Sequence, residues 1–428
     1  MQSLYKHFLN STGISTDSRN IPKGSIFFAL KGEHFDGNQF AGQALSDGAA
    51  FAVVDDRKLS GNPQFIIVDN VYETLINLAK YHRNMLQCPV FAITGTNGKT
   101  TTKELIVQVL STDYNITYTK GNLNNHIGLP LTVLSANAKT EILILEMGAN
   151  HPGDIDFLCN IGRPDYGLIT NIGKAHLEGF GSPEAVFQTK TELYRFIADH
   201  GKGLIVHADD HQLMHEAGKN TLLSYGINSG NITGNILSSV PYLNISWLWE
   251  NKENSQHTNL FGAYNIYNVL AAVATGLFFK VSPKNIIHSI AAYQPTNNRS
   301  QYFKSTKNSN IILDAYNANP SSMNLALDEF FLLNGTPKYA ILGSMMELGK
   351  YSQSEHLNIL QKLMDSSVDH VFLVGNEFKQ FRDDYPCFTF FENSDSLNDF
   401  LKTLNISEAY ILLKGSRINA LEKTLPYL

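Results

Sequence analysis

The chain has 428 residues, too many for one ordinary core and enough for two to four domains, with three as the working number. Hydrophobic residues make up 43% and charged residues 17%, a balance that excludes a disordered or fibrous polymer. The net charge of -6 excludes a broad nucleic-acid-binding face, which needs clustered Lys and Arg, but leaves room for a local site for small anions.

In chain order, the opening "MQSLYKHFLNSTGISTDSRN" lacks the apolar core of a signal peptide, so export is not expected. Up to about residue 86, the strand-like runs "SIFFAL", "AAFAVV" and "QFIIV" are separated by Gly-rich and Asp-Gly turns, which predicts a small α/β module. At "QCPVFAIT" a buried strand leads straight into "GTNGKT" and a helix from about Lys99 to Leu110. The runs "EILILEMG" and "YGLITNIG" then alternate with helical segments, as in a doubly wound parallel sheet. "SPEAVFQTKTELYRFIAD" predicts a helix with Ser182 as N-cap and Pro183 in the first turn. "VLAAVATGLFF" from Val269 is far short of the roughly 18 to 20 apolar residues that cross a bilayer, and reads as a buried helix. After "AAYQPTNNRS" the strands "NIILD", "YAILG", "HVFLVG" and "AYILLKG" alternate with helices, the last of which closes the chain, and a second open α/β sheet fits. The joints fall near residues 87 and 293. Cys88, Cys159 and Cys387 are widely scattered and form no CxxC pair, so a reducing cytoplasm is the expected compartment.

"FAITGTNGKTTTKEL" is the stretch richest in chemistry. A standard phosphate-binding loop reads G-x-x-x-x-G-K-[ST], yet five residues before Gly98 stands Ile93, and the glycine ahead of it is Gly95. A glycine loop between strand and helix turns backbone N–H groups inward and adds the partial positive charge of the helix N-terminus, so it holds polyphosphate. Lys99 would neutralise the β and γ phosphates and the Thr100 hydroxyl would ligate Mg²⁺. The competing reading is an Asn-Gly turn ahead of an ordinary helix. Glu146 ends a buried strand, where a carboxylate faces the ligand crevice and suits magnesium, or else merely caps a strand in solvent. His176 follows another strand. A single His is more often structural, and imidazole is not magnesium's favoured ligand. Lys190 lies about two turns into its helix, where an exposed lysine is the ordinary expectation.

Read together, "STDSRNIPKGSIFFALKGEHFDG", "TGTNGKTTTKE", "GNLNNHIGLP", "LEMGANHPGDI", "NIGKAHLEGFGSPEAVFQTKTEL", "DAYNANPSSM", "GSMMELG" and "LLKGSR" resemble the Mur ligases of peptidoglycan synthesis, whose short loop reads TGTNGKT or TGTNGKS. The resemblance covers essentially the whole chain, and "DAYNANP" with "MELG" is similar to the branch that adds D-alanyl-D-alanine. It implies three α/β domains: a small UDP-sugar-peptide-binding domain at 1–86, a central P-loop ATPase-like parallel-sheet domain at 87–292, and a Rossmann-like domain at 293–428 that closes over the site.

The resemblance also implies roles. Gly95, Thr96, Asn97, Gly98, Lys99, Thr100 and Thr101 would cradle ATP. Thr100 and Glu146 would hold one Mg²⁺, and His176 with Lys190 would help hold a second. An ammonium repels magnesium, so Lys190 suits that place only as the carbamate that the family forms with CO₂. Lys99, His176 and Lys190 are thus the expected catalytic residues. Asn265 and Asn268 of "GAYNIYNVLAA" would sit near the base, with Tyr264 where the family usually has His. Arg299 and Asp314 would reach back to ATP, or form a surface ion pair of little value. Ser18 and Arg19 would meet the UDP-sugar. Asn317 and Asn319 would take the dipeptide carboxylate, or simply turn the chain before the next helix. The last loop carries Lys414, Ser416 and Arg417.

The implied reaction starts with phosphorylation of the terminal carboxylate of UDP-N-acetylmuramoyl-tripeptide by ATP, followed by attack of the D-alanyl-D-alanine amine on the acyl phosphate. A monomer that neither binds nucleic acid nor inserts into a membrane is expected. Two alternatives are a ligase such as folylpolyglutamate synthase, against which the amino-terminal module speaks, and a scaffold that has lost catalysis. Against the scaffold stands the presence of Thr100, Glu146, His176 and Lys190.

Overall fold

The computed structural model describes residues 1–428, which build three sheets and a short β-ribbon. In the first sheet the strands Ile14–Ser15, Ile26–Phe28, Phe51–Val54 and Phe65–Ile67 run parallel in that order. The helix Val71–Met85 leaves it, started by the Asn70 side chain, which accepts the Glu73 N–H. Its Leu75, Leu78 and Ala79 join a core with Leu129, Val133, Ile155 and Leu158, so this helix already covers one face of the next sheet.

That sheet has nine strands. At its centre Val90–Thr94 lies between Ile142–Glu146 and Tyr166–Ile169, parallel to both. Period-two alternation sorts the side chains. Val90 and Ala92 pack with Leu129, Leu158 and Leu193 of helices on one face, while Phe91 and Ile93 pack with Ile106 and Val109 of Lys99–Leu110 and Val269 of Ile266–Phe278 on the other. With both faces covered, every residue of Val90–Thr94 and Ile142–Glu146 is buried, which is why those strands read as unbroken apolar runs. The sheet extends past the expected parallel part into Asn244–Trp249 and Lys252–His257, which are antiparallel. Their hairpin turns on Glu250 and Asn251, both at positive φ (48° and 61°), a two-residue turn without the usual Asn-Gly signature.

The third sheet has six strands, parallel except for Gln301–Lys304 at its edge. Asn310–Asp314 and Tyr410–Lys414 are neighbours, and their last residues, Asp314 and Lys414, are register partners. The closing segment Leu421–Tyr427 is a 3₁₀ helix where the sequence suggests a regular helix; Pro426 inside it offers no N–H for a longer ladder. No helix is long and apolar enough to cross a membrane.

Two buried histidines staple separate segments as neutral rings. His82 receives the Tyr5 hydroxyl at Nδ1 (3.1 Å) and donates from Nε2 to the Ala136 carbonyl (2.9 Å). His356 accepts the Met345 N–H at Nε2 (3.0 Å) and donates from Nδ1 to the Ser352 carbonyl (2.7 Å). Burial lowers the pKa of both. Well above pH 6.5 neither folded nor unfolded imidazole is charged and these rings cost no stability; as pH falls through about 6.5 the unfolded chain takes up protons that the folded chain refuses. Urea midpoints are therefore expected to fall as pH drops from 7.5 to 5.5, and a flat profile would contradict neutral, buried rings.

Candidate active site

The glycine loop sits at the carboxyl end of Val90–Thr94. Gly95 (φ 142°) and Gly98 (φ 77°) are irreplaceable for steric reasons as well as conformational ones: a Cβ would lie 2.0 Å from Thr170 Oγ1 in the first case and 2.4 Å from Asn268 Oδ1 in the second. The neighbouring strand end holds the loop in shape. Asn171 accepts the Asn97 N–H at its Oδ1 (3.0 Å), and the Thr170 hydroxyl donates to the Asn97 carbonyl (2.6 Å). Lys99 folds over the loop and donates to the carbonyls of Gly95 (2.7 Å) and Thr96 (3.0 Å). Lost hydration brings its pKa down to about 8, opposed by the Glu146 charge and assisted by Arg299.

Glu146, 1% exposed, faces the loop from the adjacent strand. Its Oε1 accepts from the Thr100 hydroxyl (3.2 Å) and from Asn124 (2.7 Å), whereas its Oε2 accepts no hydrogen bond. The nearest cation, Lys103, stands 3.4 Å from Oε2 and is shared with Glu104 and the Thr119 carbonyl. A buried carboxylate oxygen that accepts no hydrogen bond, beside the Thr100 hydroxyl, fits a hard cation. No cluster of three His, Cys, Asp or Glu side chains exists anywhere in the chain, so such an ion must take most of its oxygens from phosphate and water. Lys103 was not singled out from the sequence, although its spacing of three from Thr100 puts both on one helical face. Removing it strands a buried carboxylate. Lys103→Met is expected to cost about 3 to 5 kcal/mol in urea unfolding with EDTA present, and an unchanged midpoint would show that Glu146 does not depend on it.

A cavity of about 720 Å³ opens in front of the loop, between the central and carboxyl-terminal domains. It brings together Thr96, Asn97, Gly98, Lys99, Thr100, Thr101, Glu146, His176, Asn265, Asn268, Arg299, Asp314, Asn317 and Asn319. Asn268 accepts the Thr102 hydroxyl (3.0 Å) and donates to Asn265 (2.7 Å), tying the loop helix to Ile266–Phe278. Tyr264 also lines the cavity, its hydroxyl 3.3 Å from Ser300 Oγ and its pKa pushed up by burial. Arg299 and Asp314 are not an ion pair. Asp314 takes Lys414 at 2.6 Å, and the Arg299 guanidinium lies 3.8 Å from the centre of the Tyr316 ring. Asn319 caps its helix by accepting the Ser322 N–H, and reaches Asn97 across the interface at 2.7 Å.

Gly95, Lys190, Ser18 and Arg19 do not line this cavity. Lys190 is 2% exposed, its amine 5.7 Å from the Phe180 ring centre, and burial holds its pKa far below that of a free lysine. That environment is the reverse of the exposed helical lysine that spacing alone suggests. Ser18 and Arg19 belong to the first domain, where the Arg19 side chain, 88% exposed, is gripped by Asp17 through two bonds of 2.9 Å. His176 (φ 51°) lines the cavity and pairs through Nδ1 with Glu347 of the carboxyl-terminal domain, a bond that draws the Glu347 pKa down. The sequence carried Glu347 and Asn124 inside "GSMMELG" and "GNLNNHIGLP" without marking either as a partner of His176 or Glu146.

Three family models cover the chain: the Mur ligase family catalytic domain at 10–92, the Mur ligase middle domain at 93–276 and the Mur ligase glutamate ligase domain at 298–417. The chain belongs to the Mur ligase family. Within that family, it is 35% identical to the UDP-N-acetylmuramoyl-tripeptide--D-alanyl-D-alanine ligase of Bacillus subtilis (85% of this chain, 80% of the relative) and 31% identical to that of Escherichia coli (96% and 92%). Among solved Mur ligases, MurF from Acinetobacter baumannii superposes with a TM-score of 0.88 at 29% identity, covering 99% of this chain and 97% of that one. MurF from Thermotoga maritima in complex with ADP superposes with a TM-score of 0.84 at 26% identity, covering 98% and 97%.

Proposed function

We propose that this chain is an ATP-dependent, ADP-forming ligase that joins D-alanyl-D-alanine to UDP-N-acetylmuramoyl-tripeptide through an acyl phosphate, in the cytoplasm. The observation that carries this reading is likeness over nearly the full length to ligases of that name, with the glycine loop, Lys99, Glu146, Arg299 and Lys414 lining one cavity. Folylpolyglutamate synthase of Mycobacterium tuberculosis shares the fold alone, at 13% identity.

The loop N–H groups and Lys99 would hold the β and γ phosphates of ATP, with Asn265 and Asn268 toward the base and Arg299 and Lys414 facing from the other domain. Thr100 and Glu146 would hold one magnesium ion, and His176 with carbamylated Lys190 a second. When bound, the ions supply positive charge that offsets repulsion between the transferring phosphoryl group and the reacting carboxylate. Asn317 and Asn319 have amides that can donate to the dipeptide carboxylate, and Ser18 with Arg19 belongs to the surface for the UDP-sugar. Closure of the carboxyl-terminal domain would keep water from the acyl phosphate, which water would otherwise hydrolyse.

The test is phosphate release from ATP and Mg²⁺ by the purified protein with UDP-N-acetylmuramoyl-tripeptide and D-alanyl-D-alanine, omitting each in turn. Release requiring both, with a product heavier by one dipeptide, is expected. Release without the dipeptide, or none with any muramoyl peptide, would overturn the assignment.

A further inference from the structure

Two loops from different domains meet at His176. One follows the strand Tyr166–Ile169 and carries His176; the other follows Lys338–Gly343 and carries Glu347. Both residues hold positive φ, 51° and 61°, a conformation that non-glycine residues keep only where their surroundings impose it. Here the surroundings are each other. The Glu347 carboxylate bonds His176 Nδ1, and the Glu347 carbonyl accepts the Glu178 N–H at 3.1 Å. Beside them Lys174 reaches Glu355 at 2.9 Å and its N–H donates to Ser321 Oγ at 3.2 Å, so the pairing exists because the carboxyl-terminal domain is docked.

Only one ring nitrogen of His176 is engaged within the chain, and the ring lines the cavity. A histidine that ligates a metal through Nε2 commonly donates Nδ1–H to a carboxylate behind it, which fixes the tautomer and the ring plane and makes the ligating nitrogen more basic. That help matters most for magnesium, which favours oxygen over imidazole.

We propose that Glu347 is the positioning residue for His176 at the second metal ion, so that the affinity for this ion depends on docking of the carboxyl-terminal domain. The inference rests on the two-metal reading above, and the test separates the two. Mn²⁺ replaces Mg²⁺ in the full-length protein with a non-hydrolysable ATP analogue, and bound ions are counted by electron paramagnetic resonance for wild type, His176→Ala, Glu347→Ala and Glu347→Gln. Wild type is expected to bind two ions and His176→Ala to lose one. Glu347→Ala should bind that one about 10- to 100-fold more weakly, and Glu347→Gln, whose amide oxygen still accepts from Nδ1–H, should fall between. Melting temperatures check folding; the Glu347 side chain is half exposed, so no core contact is lost. If His176→Ala loses an ion while Glu347→Ala matches wild type or binds more tightly, Glu347 does not orient His176 and the inference fails alone. If His176→Ala still binds both ions, the metal role of His176 fails and the inference with it.

Discussion

Lys99→Ala is expected to lower kcat by about 10³-fold or more, the scale on which a single preorganised charge acts on a developing phosphoryl transition state. The lysine roots at the first residue of the helix Lys99–Leu110, and its amine already rests against the Gly95 and Thr96 carbonyls on the rim of the cavity. Its charge therefore needs only a short swing to meet phosphate. Lys99→Arg should rescue poorly, because a planar guanidinium does not fit a cradle shaped by two carbonyls 2.7 and 3.0 Å from one nitrogen. Single-turnover ATP cleavage measures the loss; a variant within tenfold of wild type would remove Lys99 from the phosphoryl-transfer step.

Lys190→Ala should cost at least about 100-fold in turnover, since loss of a residue that merely orients a metal ligand already costs 10- to 100-fold. Lys190 is 2% exposed and its pKa is driven far down, first by lost hydration and then by the Lys99 charge. A neutral amine is the form that attacks CO₂: the nitrogen bonds carbon, one C–O π bond opens, a proton leaves to water, and the neutral amine becomes an anionic oxygen donor. Asp154 and Glu192 oppose this shift without reversing it. Added bicarbonate should not restore the alanine variant, which has no amine to modify, and ¹³C-bicarbonate should give wild type a carbamate carbon signal that the variant lacks. Wild-type activity in Lys190→Ala would sink the assignment.

Much of the fold was legible because buried parallel strands advertise themselves. "FAIT", "ILILE" and "IILD" are continuous apolar runs since helices cover both faces of their sheets, and the glycine loop declared a strand on one side and a helix on the other. The hairpin through Lys252–His257 was hidden for the opposite reason: its sequence, KENSQH, is polar and sits at a sheet edge, and its Glu-Asn turn is not a strong turn signal.

The amino-acid order by itself determined which groups could do chemistry. It set Gly-x-x-Gly-Lys-Thr at a helix start, a carboxylate at the last residue of a buried strand, and the run of motifs that marks the family, because these depend on spacings of a few residues along one strand, loop or helix. Only the tertiary structure decided how those groups are used. It put Lys103 and Asn124 around Glu146, matched Asp314 with Lys414 instead of Arg299, buried Lys190 on a helix whose spacing suggests solvent, and brought Glu347 to His176. Each of these pairings crosses from one element or domain to another, and burial and charge at such a point come from whatever packs against it, which no local spacing encodes.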